Sequence, residues 1–317
     1  MAFIRADQLV EIDVEGPRRA DLLERAHHAV RWDWFGRPVE FRSNLAGAVD
    51  ALRSRYQAFL TSAPPELTSC AVAPDDEPPT FFTDPGEAFS HPMVLNRAGP
   101  LAFLADAVTT RAFFEVHPTL WSFHAAAVRV GDVAVAISAT STGGKSTTAF
   151  ACARRGMGLY SDERCVIEDG RALPFPRAVN LRSGGIELLA AEDVPDPFGL
   201  GLRLRAHGAR DWESAQIADV LGASQMPAPA TLANIFFITD RADRPSAQPL
   251  GLEPALKLLL GASFAGPRPG MDRLAAATQL LRQARAFALT LGSPDDTAQL
   301  VAATASKSRA LPVAASA

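Results

Sequence analysis

At 317 residues, 48% of them apolar and 21% charged, the chain is long enough for one large folded domain or two ordinary ones. A net charge of -4 with no basic block argues against nucleic acid or an anionic membrane as partner. No apolar run approaches the ~18 residues of a membrane span. The opening MAFIRADQLVEIDVEG carries acids early and lacks an apolar core, so a secretory signal is not expected. The three cysteines, Cys70, Cys152 and Cys165, are too scattered for a disulfide framework or a zinc site. Idle thiols and a cytoplasmic location are the expectation.

In chain order, VEIDVEG alternates like a strand, and VRWDWFGRPVEFRSN suggests a hairpin turning near Gly36. Trp32 and Trp34, two apart, fall on one strand face. LAGAVDALRSRYQAFL places Leu45, Val49, Leu52, Tyr56 and Phe59 on one side of a helix. APPELTSCAVAPDDEPPTFFTDPG is rich in proline and acids and is expected to be a linker or an irregular excursion. These features define an N-terminal α+β region over 1–95, a core over 96–303 and a disordered tail over 304–317.

The core begins with an amphipathic helix over 101–116. FHAAAVRVGDVAVAIS then gives two apolar strands joined at Gly131-Asp132. Residues 146–155 form a helix stopped by Gly156. A strand starts at Leu159-Tyr160, and ERCVIEDGRALPF turns back at Asp169-Gly170. TLANIFFITD is a buried strand ending in an acid. Two helices, the strand AFALTLG and a capped helix from SPDDTAQLVAA follow. Strands alternating with helices indicate an α/β fold.

Between the strand VAVAIS and the helix TTAFACARR lies ATSTGGK, followed by a hydroxyl residue. A phosphate loop needs a preceding strand, a tight turn, a lysine for the β/γ phosphates, a hydroxyl for Mg2+ and a following helix. Ser141, Thr142, Gly143, Gly144, Lys145, Ser146 and Thr147 supply these parts. Ala139 stands where the usual motif has its first glycine, at little cost if that position needs no positive φ. Only Lys145, Lys257 and Lys307 among 31 basic residues are lysine.

Asp162-Glu163 ends the strand that follows the loop helix. Strand ends beside such a loop are where ligands bind in open α/β sheets. An acid there can take the proton of an attacking hydroxyl or help hold Mg2+, the alternative being a solvated turn. Asp240, closing NIFFITD, suits either a metal-shell contact or a strand-end cap. Arg177 is a candidate phosphate clamp.

From His124 to Glu163 the chain resembles the bacterial HPr kinase/phosphorylase superfamily, including the shorter relatives that tailor lasso peptides. His124 stands 21 residues before Lys145, and Asp162 stands 17 after it, with Arg155-Gly156 between. The resemblance implies an ATP- and Mg2+-dependent serine kinase. Its P-loop kinase core would be of the HPr kinase/phosphoenolpyruvate carboxykinase type, with the smaller N-terminal region appended. Carried over, Asp162 matches the base on the acceptor hydroxyl, and His124 the histidine near the transferred phosphate. Lys145 and Ser146 match the phosphate and Mg2+ groups, and Glu163 replaces a second aspartate beside the metal. Thr142 also departs from the family, which has glycine there. In VNLRSGGI, Arg182 and Gly185 fit the segment tied to the reverse, phosphorolytic reaction, but Asn180 replaces its acid.

The expected partner is a peptide or small protein bearing a serine, and family members often assemble into homo-oligomers. A small-molecule kinase of the same core, or a nucleotide-binding module without turnover, are the alternatives.

Overall fold

The computed structural model describes residues 10–14, 16–73, 78–84, 86–90, 98–140, 143–175, 179–182, 205–206, 212–215, 228–264 and 270–309. The chain divides into two compact units, Met1–Pro118 and Thr119–Ala317. The helix over 98–116 therefore belongs to the first unit, whereas the boundary expected near 95 falls ahead of it.

The first unit runs β1 (Val10–Ile12), α1 (Gly16–Arg25), β2 (His28–Trp34), β3 (Arg37–Ser43), α2 (Ala46–Arg55), β4 (Leu67–Val72), β5 (Thr80–Asp84), β6 (Ala88–Ser90) and α3 (Ala98–Val116). Its strands form a six-stranded sheet in the order β1-β6-β5-β4-β3-β2. The β2–β3 hairpin turns at Phe35-Gly36, both with positive φ, as a two-residue turn matched to strand twist requires. Trp32 and Trp34 are wholly buried and pack on Tyr56 at ring separations of 4.7 and 5.1 Å. They are core.

The proline- and acid-rich stretch is not a linker. Leu67–Val72 and Thr80–Asp84 are β4 and β5, paired antiparallel in the middle of the sheet. Cys70, Val72 and Phe82 pack with Leu22 and Ala26 of α1 and its C-terminal end. On the other face, Thr109 of α3 donates to the Ser69 hydroxyl at 2.6 Å. A strand covered on both faces loses the apolar-polar alternation that would have announced it. Helix α1, one of the two covers, was not foreseen.

The second unit runs β7 (Trp121–Phe123), β8 (Ala125–Val130), β9 (Val133–Ser138), α4 (Lys145–Arg154), β10 (Gly158–Ser161), β11 (Cys165–Glu168), β12 (Arg171–Leu173), β13 (Val179–Arg182), β14 (Arg205–Ala206) and β15 (Trp212–Ala215). It continues through β16 (Ala230–Arg241), β17 (Ser246–Pro249), α5 (Leu252–Ala262), α6 (Gly270–Gln283), β18 (Arg285–Leu291) and α7 (Pro294–Arg309). Strands β13 to β15 make a small separate sheet, and the others a nine-stranded one. Within the larger sheet β9, β16 and β18 are parallel neighbours, while the remaining pairs are antiparallel. The fold is mixed α/β.

Alternate residues of β9 feed two cores. Val135 and Ile137 pack with Ala149, Phe150 and Cys152 of α4 and Val301 of α7. Ala134 and Ala136 face the opposite side, with Leu259 of α5 and Leu280 of α6. The central strands are thus buried on both faces, and the phosphate-loop candidate emerges at the end of one of them.

Helix α7 corrects the expected tail. It continues to Arg309, because Ala305 extends the buried stripe of Ala298 and Val301. At its start the Ser293 hydroxyl accepts from the Asp296 N–H at 3.1 Å and donates to the Asp296 carboxylate at 2.9 Å. Residues 310–317 lie outside those described. The three thiols are free and buried, and burial pushes Cys70 and Cys152 up to about 12. Among the described residues no helix is long and apolar enough to cross a membrane.

Candidate functional site

Strand β9 delivers the loop. Its last residue, Ser138, donates its hydroxyl to the His124 carbonyl at 2.9 Å, tying the loop's base to the turn between β7 and β8. Ala139 is not among the residues with positive φ, so alanine is compatible with that backbone. Its methyl instead constrains Gly143, where a Cβ would come within 2.7 Å of the Ala139 Cβ. The Thr140 carbonyl oxygen lies 3.0 Å from the same place, so the turn itself also calls for glycine at 143. Gly144 has φ +98 and caps α4. The Gly144 carbonyl accepts both the backbone N–H and the hydroxyl of Thr148 at 2.9 Å. Ser146 and Thr147 occupy the first turn, partly exposed, while Ser141 and Thr142 lie outside the described residues.

Lys145, 6% exposed, is the buried cation of this end. Its ammonium donates to the Asp162 carbonyl at 3.0 Å and lies 3.8 Å from Asp162 Oδ1 and 3.1 Å from Glu163 Oε1. Asp162 is wholly buried, and Glu163 keeps 31% of its side chain in solvent. The second Glu163 oxygen lies 3.3 Å from His124 Nδ1. His124, Lys145, Asp162 and Glu163, scattered over 40 positions of chain, are thereby one cluster.

Local structure explains the convergence. The β8–β10 register shifts between Leu159 and Ser161, and the Arg164 N–H closes the turn on the Ser161 hydroxyl at 3.2 Å. The two acids are held at the end of β10. His124 interrupts the edge between β7 and β8, and its N–H donates to the Ala262 carbonyl at 2.7 Å. Burial, and then the Lys145 charge, hold the His124 pKa below its ordinary 6.5, with Glu163 pulling the other way. The shift favours the uncharged imidazole. Beside it, the Arg164 guanidinium lies 3.8 Å above the Phe264 ring and donates to the Ser122 hydroxyl at 2.8 Å.

Other expected residues fall elsewhere. Arg155, at the far end of α4, forms a fork with Asp295, both bonds 2.5 Å. Asp240 is exposed at the end of β16 and accepts from the Arg241 N–H at 2.8 Å. Arg177 and Gly185 lie outside the described residues, and Asn180 and Arg182 sit on β13 opposite Ser214 and Trp212. The unforeseen neighbour is Arg241, whose Nη2 lies 2.9 Å from where a Gly144 Cβ would be. Its only signal in the sequence is that it follows Asp240 at a strand end.

Among the described residues no three His, Cys, Asp or Glu side chains are gathered to hold a metal. Mg2+ does not require such a cage, since it is usually held by one or two carboxylates together with phosphate oxygens and water. The Ser146 hydroxyl and the Asp162 and Glu163 carboxylates, all hard oxygen donors, fit that mode.

No family model matches the chain, and no curated protein matches it either. Among solved structures the chain has a distant likeness to the HPr(Ser) kinase/phosphatase from Coxiella burnetii. The match has 12% identity and a TM-score of 0.30 over 59% of this chain and 98% of that one. A likeness of that degree assigns no activity here.

Proposed function

We propose that the second unit is a P-loop kinase core of the HPr kinase type that moves the γ-phosphoryl group of ATP to a hydroxyl. The acceptor is a serine of a peptide or small protein, a lasso-peptide precursor being one candidate. One observation carries the reading. A lysine at the N-terminus of a glycine-capped helix is buried against two consecutive carboxylates, one of which also meets a histidine.

The chemistry follows from those groups. Ser141 to Thr147 cradle the donor's phosphates, with the first N–H groups of α4 and the Lys145 ammonium aimed at them. Ser146, Asp162 and Glu163 would hold Mg2+, which would supply neutralisation of the phosphate charge. Lys145 exchanges its carboxylate partners for the phosphates, which uncovers Asp162 to the acceptor hydroxyl. Asp162 then takes the hydroxyl proton, the acceptor oxygen bonds to Pγ, and the bond from Pγ to the β-bridging oxygen breaks, releasing ADP. Neutral His124, anchored on Glu163, offers a hydrogen bond beside the transferred group. Positioning and charge neutralisation do most of this work.

The test is phosphorus NMR of the protein with Mg2+, ATP and serine peptides drawn from its gene neighbourhood. Phosphopeptide and ADP are expected, and both should vanish in Asp162→Asn and Lys145→Met. Transfer to a free amino acid or sugar in place of peptide would move the assignment to a small-molecule kinase. Tight ATP binding without consumption would make the unit a nucleotide-binding module.

A further inference from the structure

Arg241 is the last residue of β16, which lies between β9 and β18. Phe237 pairs with Ser138, where β9 ends, so β16 runs on past the end of β9 to Arg241. A register shift between Ile238 and Asp240 breaks the alternation of side chains there and re-aims the strand's end. The result is a guanidinium lying on the helix cap: Nη2 and Cζ are 2.9 and 3.7 Å from the place of a Gly144 Cβ. The same place lies 2.7 Å from Cδ1 of Leu291, the strand neighbour of Arg241.

Electrostatics make this position unusual. The start of α4 has no acid in its first turn and no side-chain cap at Gly144. A helix N-terminus carries roughly half a positive charge, so a cation held against it is unfavourable unless an anion joins them. The Arg241 side chain is exposed and makes no ion pair among the described residues, and its neighbour Asp240 directs Oδ1 to the Arg241 backbone N–H. Lys145 approaches the same helix start from the side of β10.

We propose that Arg241 is a second cation of the donor site, contacting the polyphosphate from the β16 side while Lys145 contacts it from the β10 side. This rests on the phosphoryl-transfer reading and adds to it a residue and a direction of approach. A planar guanidinium presents two parallel N–H groups to phosphate oxygens, which the point charge of lysine cannot do. Gly144 is required for its left-handed backbone.

Calorimetric titration of inorganic tripolyphosphate and of ATP into wild type, Arg241→Ala, Arg241→Lys and Lys145→Met tests the proposal, with thermal melts as a check of folding. Arg241→Ala should weaken both ligands about 10- to 100-fold, with an unchanged melt, and Arg241→Lys should recover part of the loss. Arg241→Ala binding both ligands like wild type would overturn the proposal, as would a loss confined to ATP, which would mean a contact to the nucleoside. If Lys145→Met loses affinity while Arg241→Ala does not, only the Arg241 assignment fails. If wild type binds neither ligand, or Lys145→Met binds both unchanged, the phosphate-loop reading fails and takes this one with it.

Discussion

Helix α4 has an ionic arrangement at each end, and the two differ in kind. At its C-terminal end one arginine meets one carboxylate: Arg155 and Asp295 share two parallel bonds of 2.5 Å. Asp295 also sits in the first turn of α7, where a negative charge is favoured, and the Arg155 hydrogen bond holds its pKa below the ordinary 3.8. At the N-terminal end one buried lysine faces two carboxylates, one of which also meets a histidine whose pKa burial lowers. The C-terminal fork is held on the surface, with the Gln299 amide also donating to the Asp295 carboxylate at 3.1 Å. The N-terminal cluster can release its lysine to a stronger anion, because Asp162 and Glu163 both compete for it. A surface fork between two helix ends belongs to the fold, and a buried lysine at the start of a helix is suited to a ligand.

The largest effects should come from breaking the N-terminal end. Asp162→Asn is expected to lower turnover about 100- to 10,000-fold, read from single-turnover rates at saturating Mg-ATP. Gly144→Ala forces a side chain into a left-handed backbone and into Arg241 and Leu291. It should cost about 1–2 kcal/mol in denaturant unfolding and weaken nucleotide binding as well.

Glu163→Gln sharpens the contrast. The charge that raises the His124 pKa is removed, so its titration by NMR should move further below 6.5. The linkage is that of a depressed histidine: the unfolded state takes up the proton first. Stability should therefore fall as pH drops below about 6.5, and reach its floor under the folded pKa. Without Mg2+, the same variant should bind ATP somewhat more tightly, because a competitor for Lys145 is gone.

The smallest effect belongs to the matched pair. Asp295→Asn should cost about 1 kcal/mol in unfolding at neutral pH and leave turnover alone. Because the Asp295 pKa is lowered in the folded chain, that contribution is present above 3.8 and is lost as pH falls through the folded value. A large turnover defect in Asp295→Asn would erase the distinction between the two ends.

What could be read from the sequence was local. The Gly131-Asp132 and Asp169-Gly170 hairpins, the Gly156 stop and the acid pair at 162–163 each follow from a few adjacent residues. The family resemblance named His124, Lys145, Asp162 and Glu163 together, and the structure places them near one another. What escaped was set at long range. Strands β4 and β5 hid among prolines because both their faces are covered by helices far along the chain. The Arg155–Asp295 fork joins residues 140 apart, and neither residue type marks the other. Arg241 reaches Gly144 only through a register shift in a parallel strand, which no periodicity in TLANIFFITDR announces.

The lysine content permits the most direct measurement. Lys257 is exposed beside Glu253 and Lys307 is exposed near the end of α7, so Lys145 is the buried one of three. With lysine side chains labelled at Cε, the spectrum should hold three signals, and the one absent from Lys145→Met should move on addition of Mg-ATP while the other two stay. Three unmoved signals at saturating Mg-ATP would mean that Lys145 keeps its carboxylates, and that this end of α4 is not a phosphate site.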